Sequence, residues 1–197
     1  VRTTFAAIAG RYDLANHLLS GGMDFLWRAT AAGLVAETAP TCILDLAAGS
    51  GDLSRALAKR CPHARVVAAD FCLPMLELTV AFGLRNMASW EGALREMHRV
   101  IRPGGLLLVM DFSLPKPPLR GLYRAYLHHV LPRLAAVITG NKAAYEYLGE
   151  SIEAFPRDTG MLDLMNANGF SEARTRPLCF GVASIYTAKS VPPSGST

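Results

Sequence analysis

Charge is scarce in this chain. Only 18% of its 197 residues are Asp, Glu, Lys or Arg, against roughly 25% in an ordinary soluble domain, while 51% are apolar. That balance excludes intrinsic disorder for the bulk of the chain, because there is ample apolar surface to bury. Long apolar runs are missing as well. None approaches about 20 residues without a charge or a proline, which excludes a membrane-spanning helix. Cysteine is sparse: Cys42, Cys61, Cys72 and Cys179 form no CxxC pair and no His/Cys cluster with zinc spacing. They read as reduced thiols in a cytoplasmic type of compartment. Lys/Arg runs are absent too. Twenty basic residues against sixteen acidic ones give +4, but scattered and without the interleaved aromatics that single-stranded nucleic acid needs, so no nucleic-acid partner is expected. No signal peptide is visible, although the abrupt start at Val1 leaves a removed leader open.

What remains is enough for one domain with a core that needs no cross-links. We read residues 1–190 as that domain and the Pro/Ser/Gly-rich residues 191–197 as a disordered tail. Residues 1–38 suit a helical cap of two helices broken at Ser20-Gly21-Gly22. Cys42–Leu46 is a short apolar run suited to a buried parallel strand. A glycine turn, Ala47–Gly51, leads into a helix over Asp52–Arg60 and a second strand, Arg65–Ala69, ending at Asp70. Strand, glycine turn, helix, strand and acid open a doubly wound α/β sheet. Further strands are predicted at Thr79–Phe82, at Leu106–Met110 and near 172–179 and 183–188. Helices are predicted over Trp90–Ile101, from Leu119 to about Ile138, around Ala143–Leu148 and over 158–168. One interval is too short. Eight residues between Asp70 and Thr79 cannot hold a parallel crossover, so roughly 30 to 40 residues, about one βαβ unit, are read as absent between Leu78 and Thr79.

The glycine turn carries the chemistry. Small residues after the first strand let a ligand approach the backbone, and an acid ending the second strand suits a ribose diol. An adenosine-containing ligand follows. The turn lacks the third glycine of a dinucleotide site and the GK[ST] of a phosphate loop. Asp45, the turn and Asp70 instead have the layout of S-adenosylmethionine sites. His128-His129 diverge by about 100° on a helix and cannot share one ligand face; His98 falls on an amphipathic helix and reads as surface or packing. Cys61-Pro62 reverses the order used in cytosine methylation, and no NPPY-like motif appears.

Five segments then converge. FAAIAGRYDLANHLLSGGMDFLWR (5–28), LDLAAGSGDL (44–53), FGLRN (82–86), RVIRPGGLLLVMDFS (99–113) and AYEYLGESIEAFP (144–156) resemble blocks of the ubiquinone/menaquinone biosynthesis C-methyltransferases, the UbiE/MenG/Coq5 family. FGLRN and AYEYLGESIEAFP together are the specific part. Threonine is commoner in the family at Ser50, and a block like GDAxxLPFPDxxFDAV, which usually precedes TVAFGLRN, is missing. The resemblance implies an α/β fold, a class I (Rossmann-like) S-adenosylmethionine-dependent methyltransferase with a mostly parallel sheet and helices on both faces. It adds a helical insertion over 116–156 near the substrate site.

It also implies ring C-methylation of a polyprenylated quinol, demethylmenaquinol and/or 2-methoxy-6-polyprenyl-1,4-benzoquinol, with S-adenosyl-L-methionine as cofactor; the alternatives are a methyltransferase for another small aromatic or lipid acceptor and a non-catalytic member that scaffolds quinone biosynthesis. Cofactor contacts are expected from Tyr12, Asp45, Ala47, Gly49, Ser50, Gly51, Asp70, Phe71, Met75 and Ala81. Catalysis is expected of Arg85, stabilising the quinolate and polarising a bridging water, with Asn86 orienting that water or the quinol oxygen. Phe82, Tyr145, Tyr147 and Ser151 are expected in the quinol pocket. Finally, Arg120, Arg124 and Arg133 stand among apolar residues of the insertion. Such a helix suits peripheral contact with the inner membrane, a second subunit in a homodimer, or a cap on the active site.

Overall fold

Alternation of side chains along two central strands divides the core into two halves. The computed structural model describes residues 20–69, 77–133 and 142–192, with 77 and 142–146 described through their backbone alone. The predicted helix before Ser20, residues 70–76, the middle of the insertion (134–141) and the tail from 193 lie outside the described residues.

Six strands form one sheet: β1 (Cys42–Leu46), β2 (Arg65–Ala69), β3 (Glu77–Ala81), β4 (Leu106–Phe112), β5 (Phe170–Leu178) and β6 (Ala183–Ser190), in the order β2-β1-β3-β4-β6-β5. The first four are mutually parallel, and β6 runs antiparallel to β4 and β5. Ile43 on β1 and Leu108, Met110 and Phe112 on β4 face one side. Leu44, Leu107 and Val109 face the other. This is the period of two that a pleated strand imposes, and it buries β1 and β4 on both faces, as in parallel sheets, while the edge strands β2 and β5 stay partly exposed.

On the first face lie α1 (Asp24–Ala36), through Trp27, Ala31, Ala32 and Val35, and α2 (Asp52–Arg60), through Leu53 and Leu57. On the second lie α3 (Trp90–Val100), through Leu94 and Met97, and α6 (Thr159–Ala167), through Met161 and Met165. Each fully buried large aliphatic contributes about 1.5–3 kcal/mol. Local signals set the ends: Ser89 caps α3 by accepting from the Gly92 N–H at 3.0 Å, and Lys59 and Arg60 meet the negative end of α2.

The insertion is α4 (Leu119–Ala125), which continues into a π-helical turn over Tyr126–Val130, and α5 (Lys142–Ala154). Two strand limits differ from the sequence reading. β3 begins at Glu77, two residues earlier than predicted, because its pairing starts against Ile43 of β1. β4 runs on through Asp111 and Phe112, held by the hairpin partner β6. β2 and β3 flank β1 on opposite sides, so the chain reverses its direction of travel across the sheet at β1, creating a switch point at the carboxyl ends of β1 and β3.

Candidate active site

At that switch point the turn after β1 takes a conformation that few residues tolerate. Ala47, Gly49 and Gly51 all have positive φ, at 55°, 52° and 76°. A Cβ added at Gly49 would meet nothing within 4 Å, so the space above it is open to a ligand. A pocket forms there, lined by Asp45 and Ala47–Ser50 at and after the end of β1, Asp52 and Leu53 of α2, Ala81 and Phe82 at the end of β3, and Arg28 of α1.

Charge on its wall is opposed and deliberate. The Asp45 carboxylate is 1% exposed and accepts from Ser54 Oγ at 2.5 Å and from Thr79 Oγ1 at 3.1 Å. Burial pushes its pKa up, against the pull of those two hydroxyls and of Arg28. Thr79 reaches Asp45 because the two residues are register partners across β1 and β3. Arg28 is buried, bonded to Asp24 one helical turn away, 3.9 Å from Asp52 and stacked 5.7 Å over the Phe82 ring. Asp52 sits low in pKa: burial would raise it, but Ser50, Arg55 and Arg28 outweigh that.

Behind the pocket stands an aromatic wall. Phe82 and Phe112 lie 4.7 Å apart, and Trp27 approaches them at 6.3 and 6.0 Å. Gly83 touches the turn directly, since a Cβ there would fall 2.9 Å from Ala47 Cβ.

The structure thus gathers Asp45, Ala47, Gly49, Ser50, Ala81 and Phe82 around one pocket, with Gly51 beside it as the N-cap of α2. Arg85 is placed differently from the sequence expectation. Its side chain has no exposure and closes on Asp111 as an ion pair, while its Nη1 also donates to the Phe82 carbonyl at 3.2 Å. A charge buried between two strand ends requires a partner, and the nearest carboxylate ends the neighbouring strand. Burial holds the Asp111 carboxyl above its ordinary value despite the pull of Arg85. A guanidinium open to a quinolate and a bridging water is therefore not what this conformation presents.

Asn86 donates to the Phe82 carbonyl at 3.3 Å. Ser151 turns its hydroxyl back to the Leu148 carbonyl of its own helix at 2.9 Å, and Tyr147 is 44% exposed, so neither lines this pocket. Tyr12, Asp70, Phe71 and Met75 lie outside the described residues, as does the side chain of Tyr145. Of the two adjacent histidines, His128 sits 3.0 Å from Glu153 in a surface cluster with Arg124, and among the described residues no group of His, Cys, Asp and Glu could hold a metal ion. Sequence reasoning missed Arg28, Thr79 and Asp111. Asp111 had a signal, since it ends a strand as Asp45 and Asp70 do; the others depend on pairings between distant segments.

A doubly wound sheet with its pocket at the β1/β3 switch point, walled by a glycine turn and a buried acid, defines a methyltransferase fold of class I. Solved structures agree at the level of fold. Human N-acetylserotonin methyltransferase in complex with SAM matches with a TM-score of 0.62 at 16% identity, over 98% of this chain and 59% of that one. A possible histamine N-methyltransferase from Thermotoga maritima matches with a TM-score of 0.62 at 15% identity, over 96% of this chain and all of that one. The chain belongs to the ubiE/COQ5 methyltransferase family, whose profile matches residues 1–78 and 77–190. It is 44% identical to a demethylmenaquinone methyltransferase of Thermus thermophilus, over 92% of this chain and 97% of that protein. It is 39% identical to the ubiquinone/menaquinone biosynthesis C-methyltransferase UbiE of Syntrophotalea carbinolica, over 94% and 92%. The Thermus alignment runs over 215 positions, although 92% of this chain is about 181 residues, so about 34 positions face no residue here.

Proposed function

We propose that this chain transfers a methyl group from S-adenosylmethionine to a ring carbon of a polyprenylated quinol. The observation that carries the reading is the pocket over Asp45–Asp52, in a chain 44% identical to a demethylmenaquinone methyltransferase. Demethylmenaquinol is the first acceptor to test, because relatives at 44% and 38% identity carry that name alone.

The residues fit the cofactor on three counts. Open space stands above Gly49, a buried carboxylate at Asp45 suits a cationic group, and Arg28 beside it suits a carboxylate. Opposite charges on one wall match the zwitterionic end of an amino acid. When bound, S-adenosylmethionine supplies an electrophilic methyl group. The chain supplies the rest. Ala47–Gly51 brings backbone against the ligand, and Asp45, braced by Ser54 and Thr79, orients its charged end. Phe82, Phe112 and Trp27 exclude water, which strengthens every charge interaction inside. Arg85, paired with Asp111 and bonded to the Phe82 carbonyl, positions the 82–86 loop, and Asn86 braces the same carbonyl. Mixing purified protein with labelled cofactor and short-tailed demethylmenaquinol tests the reading: methylated product is expected, and a protein that binds the cofactor but labels no quinol overturns it.

The same reading includes a segment absent between Leu78 and Thr79 relative to the family. The break of the profile match at 77–78 and the roughly 34 unmatched positions support it.

It also includes contact of α4 with an anionic membrane surface. No helix among the described residues is long and apolar enough to cross a membrane. From Phe112 to Tyr145 there is no acid, while Lys116, Arg120, Arg124, Arg133 and Lys142 are basic. Leu119, Leu122 and Phe180 are exposed around the same region, and Leu119 and Phe180 rim a groove of about 370 Å³. Phe180 is 86% exposed with φ at 59°, a strained aromatic with no folding reward. Flotation with anionic vesicles at low salt is the check: the protein should rise with the lipid and Phe180→Ser should not, and a parent left at the bottom removes the contact.

A further inference from the structure

Two buried side-chain oxygens among the described residues make no hydrogen bond, Tyr123 Oη and Tyr186 Oη. A buried hydroxyl in that condition is destabilising and calls for a reason. Tyr186 has one at hand. The hydroxyls of Ser113 and Ser184 and the backbone of Asp158 surround it, and small rotations satisfy it. Around Tyr123 the groups are of another kind: the Tyr126 ring, stacked at 6.1 Å and 24°, and the positive charge of Arg85.

The place of Tyr123 in the fold gives the hydroxyl its meaning. It packs against the cluster that contains Trp27, Phe82, Phe112 and Leu114, at the carboxyl ends of β3 and β4. Phe82 belongs to that wall and to the lining of the Asp45 pocket alike. The tyrosine packs against the same apolar cluster that supplies Phe82 to the pocket. Helix α4, which carries Tyr123, buries none of its residues fully, and it runs into the π-helical turn Tyr126–Val130. Such turns recur at functional sites. An aromatic wall, a buried hydroxyl without a partner and a cation close by are what an aromatic ring bearing hydroxyls would meet.

We infer that the Tyr123 hydroxyl donates a hydrogen bond to a ring oxygen of the methyl acceptor. The inference rests on the proposed reading of that acceptor as a quinol. Burial holds the Tyr123 pKa far above that of a free phenol, with Tyr126 adding to the rise and Arg85 opposing it. The hydroxyl consequently stays protonated and serves as a donor, not a base. A donor fixed in a dry site favours the acceptor oxygen more as negative charge grows on it, which is the change that makes the adjacent ring carbon nucleophilic.

Replacing the hydroxyl alone tests this, because Tyr123→Phe keeps the ring and its packing. With short-tailed demethylmenaquinol, kcat/KM should fall by about 10- to 100-fold. The Tm of the ligand-free protein should stay level or rise, since a hydroxyl without a partner has been removed. Tyr186→Phe, the matched control, should keep parental turnover. Parental kcat/KM in Tyr123→Phe overturns the inference, as it would if the hydroxyl met only a buried water. A Tm several degrees below the parent overturns it too, because the hydroxyl would then hold the fold. A parent that methylates no quinol removes the acceptor reading and this inference with it, an outcome distinct from an active parent with an equally active variant.

Discussion

Arg85→Ala should cost this protein far more than an exposed arginine would. The substitution leaves the Asp111 carboxylate at no exposure, with only the backbone N–H groups of Phe112 at 2.9 Å and residue 85 at 3.3 Å to hold it. Breaking a buried pair in this way typically costs about 3–5 kcal/mol. An upper limit comes from the alternative of taking up a proton. From the ordinary carboxyl value of 3.8 to pH 7, at about 1.4 kcal/mol per unit, that is roughly 4 kcal/mol. The two figures agree.

The sign with pH follows. In the variant the folded-state pKa of Asp111 stands well above its unfolded value, so the stability it carries is full at low pH and is lost as pH rises through the folded value. The deficit against the parent should therefore shrink as pH falls from 7 towards 5, by at most about 1.4 kcal/mol per unit, because the Asp111 carboxyl is raised in the parent as well. Urea unfolding of both proteins at pH 5, 6, 7 and 8 measures it. A deficit below about 1 kcal/mol at pH 7, or one that does not change with pH, refutes the closed pair. The apolar double variant Arg85→Met/Asp111→Leu should recover stability to within about 1–2 kcal/mol. Turnover still reduced in that folded protein would show that Arg85 serves the reaction through the loop it holds.

Three further outcomes follow, two from the pocket and one from a turn away from it. The Asp45 pKa is raised in the folded state, so its favourable contribution belongs to acid pH and is lost as pH rises. Asp45→Asn should accordingly raise the ligand-free Tm at pH 7, by about 2–4 °C per kcal/mol recovered, while weakening cofactor binding by calorimetry; a lower Tm counts against the buried charge. Gly83→Ala drives a methyl to 2.9 Å from Ala47 Cβ and should cost about 1–3 kcal/mol. Adding Ala47→Gly should return most of that in thermal unfolding. Gly169→Ala places a Cβ 2.7 Å from the His98 ring at a φ of 92°, and should lower Tm by several degrees at pH 7 without changing cofactor affinity.

The parts of the fold that follow from local pattern were legible in the chain. The apolar run at Cys42–Leu46, the glycine turn and the helix after it stand where periodicity puts them. So do α3 and the β5–β6 hairpin, within a residue or two. The start of β3 was hidden, because Glu77 and Leu78 suit the beginning of a crossover helix as well as a strand. Most of the pocket lining was legible for the same local reason: apart from Arg28, its residues crowd into two short segments, 45–53 and 81–82. Arg85 shows the opposite case. Nothing in FGLRN says whether a guanidinium turns outward or across to a carboxylate 26 residues further on. The condition of Tyr123 was equally hidden, since an unmet hydroxyl is defined by what every distant neighbour fails to supply.

The contact between Gly83 and Ala47 makes the turn after β1 and the 82–86 loop, on which the proposed function sets donor and acceptor, lean on each other across the width of a single methyl group. Neither half can be remodelled alone. An engineer who enlarges the loop for a bulkier ring will disturb the grip on the methyl donor, so altered acceptor preference and altered donor affinity should travel together among variants of residues 82–86.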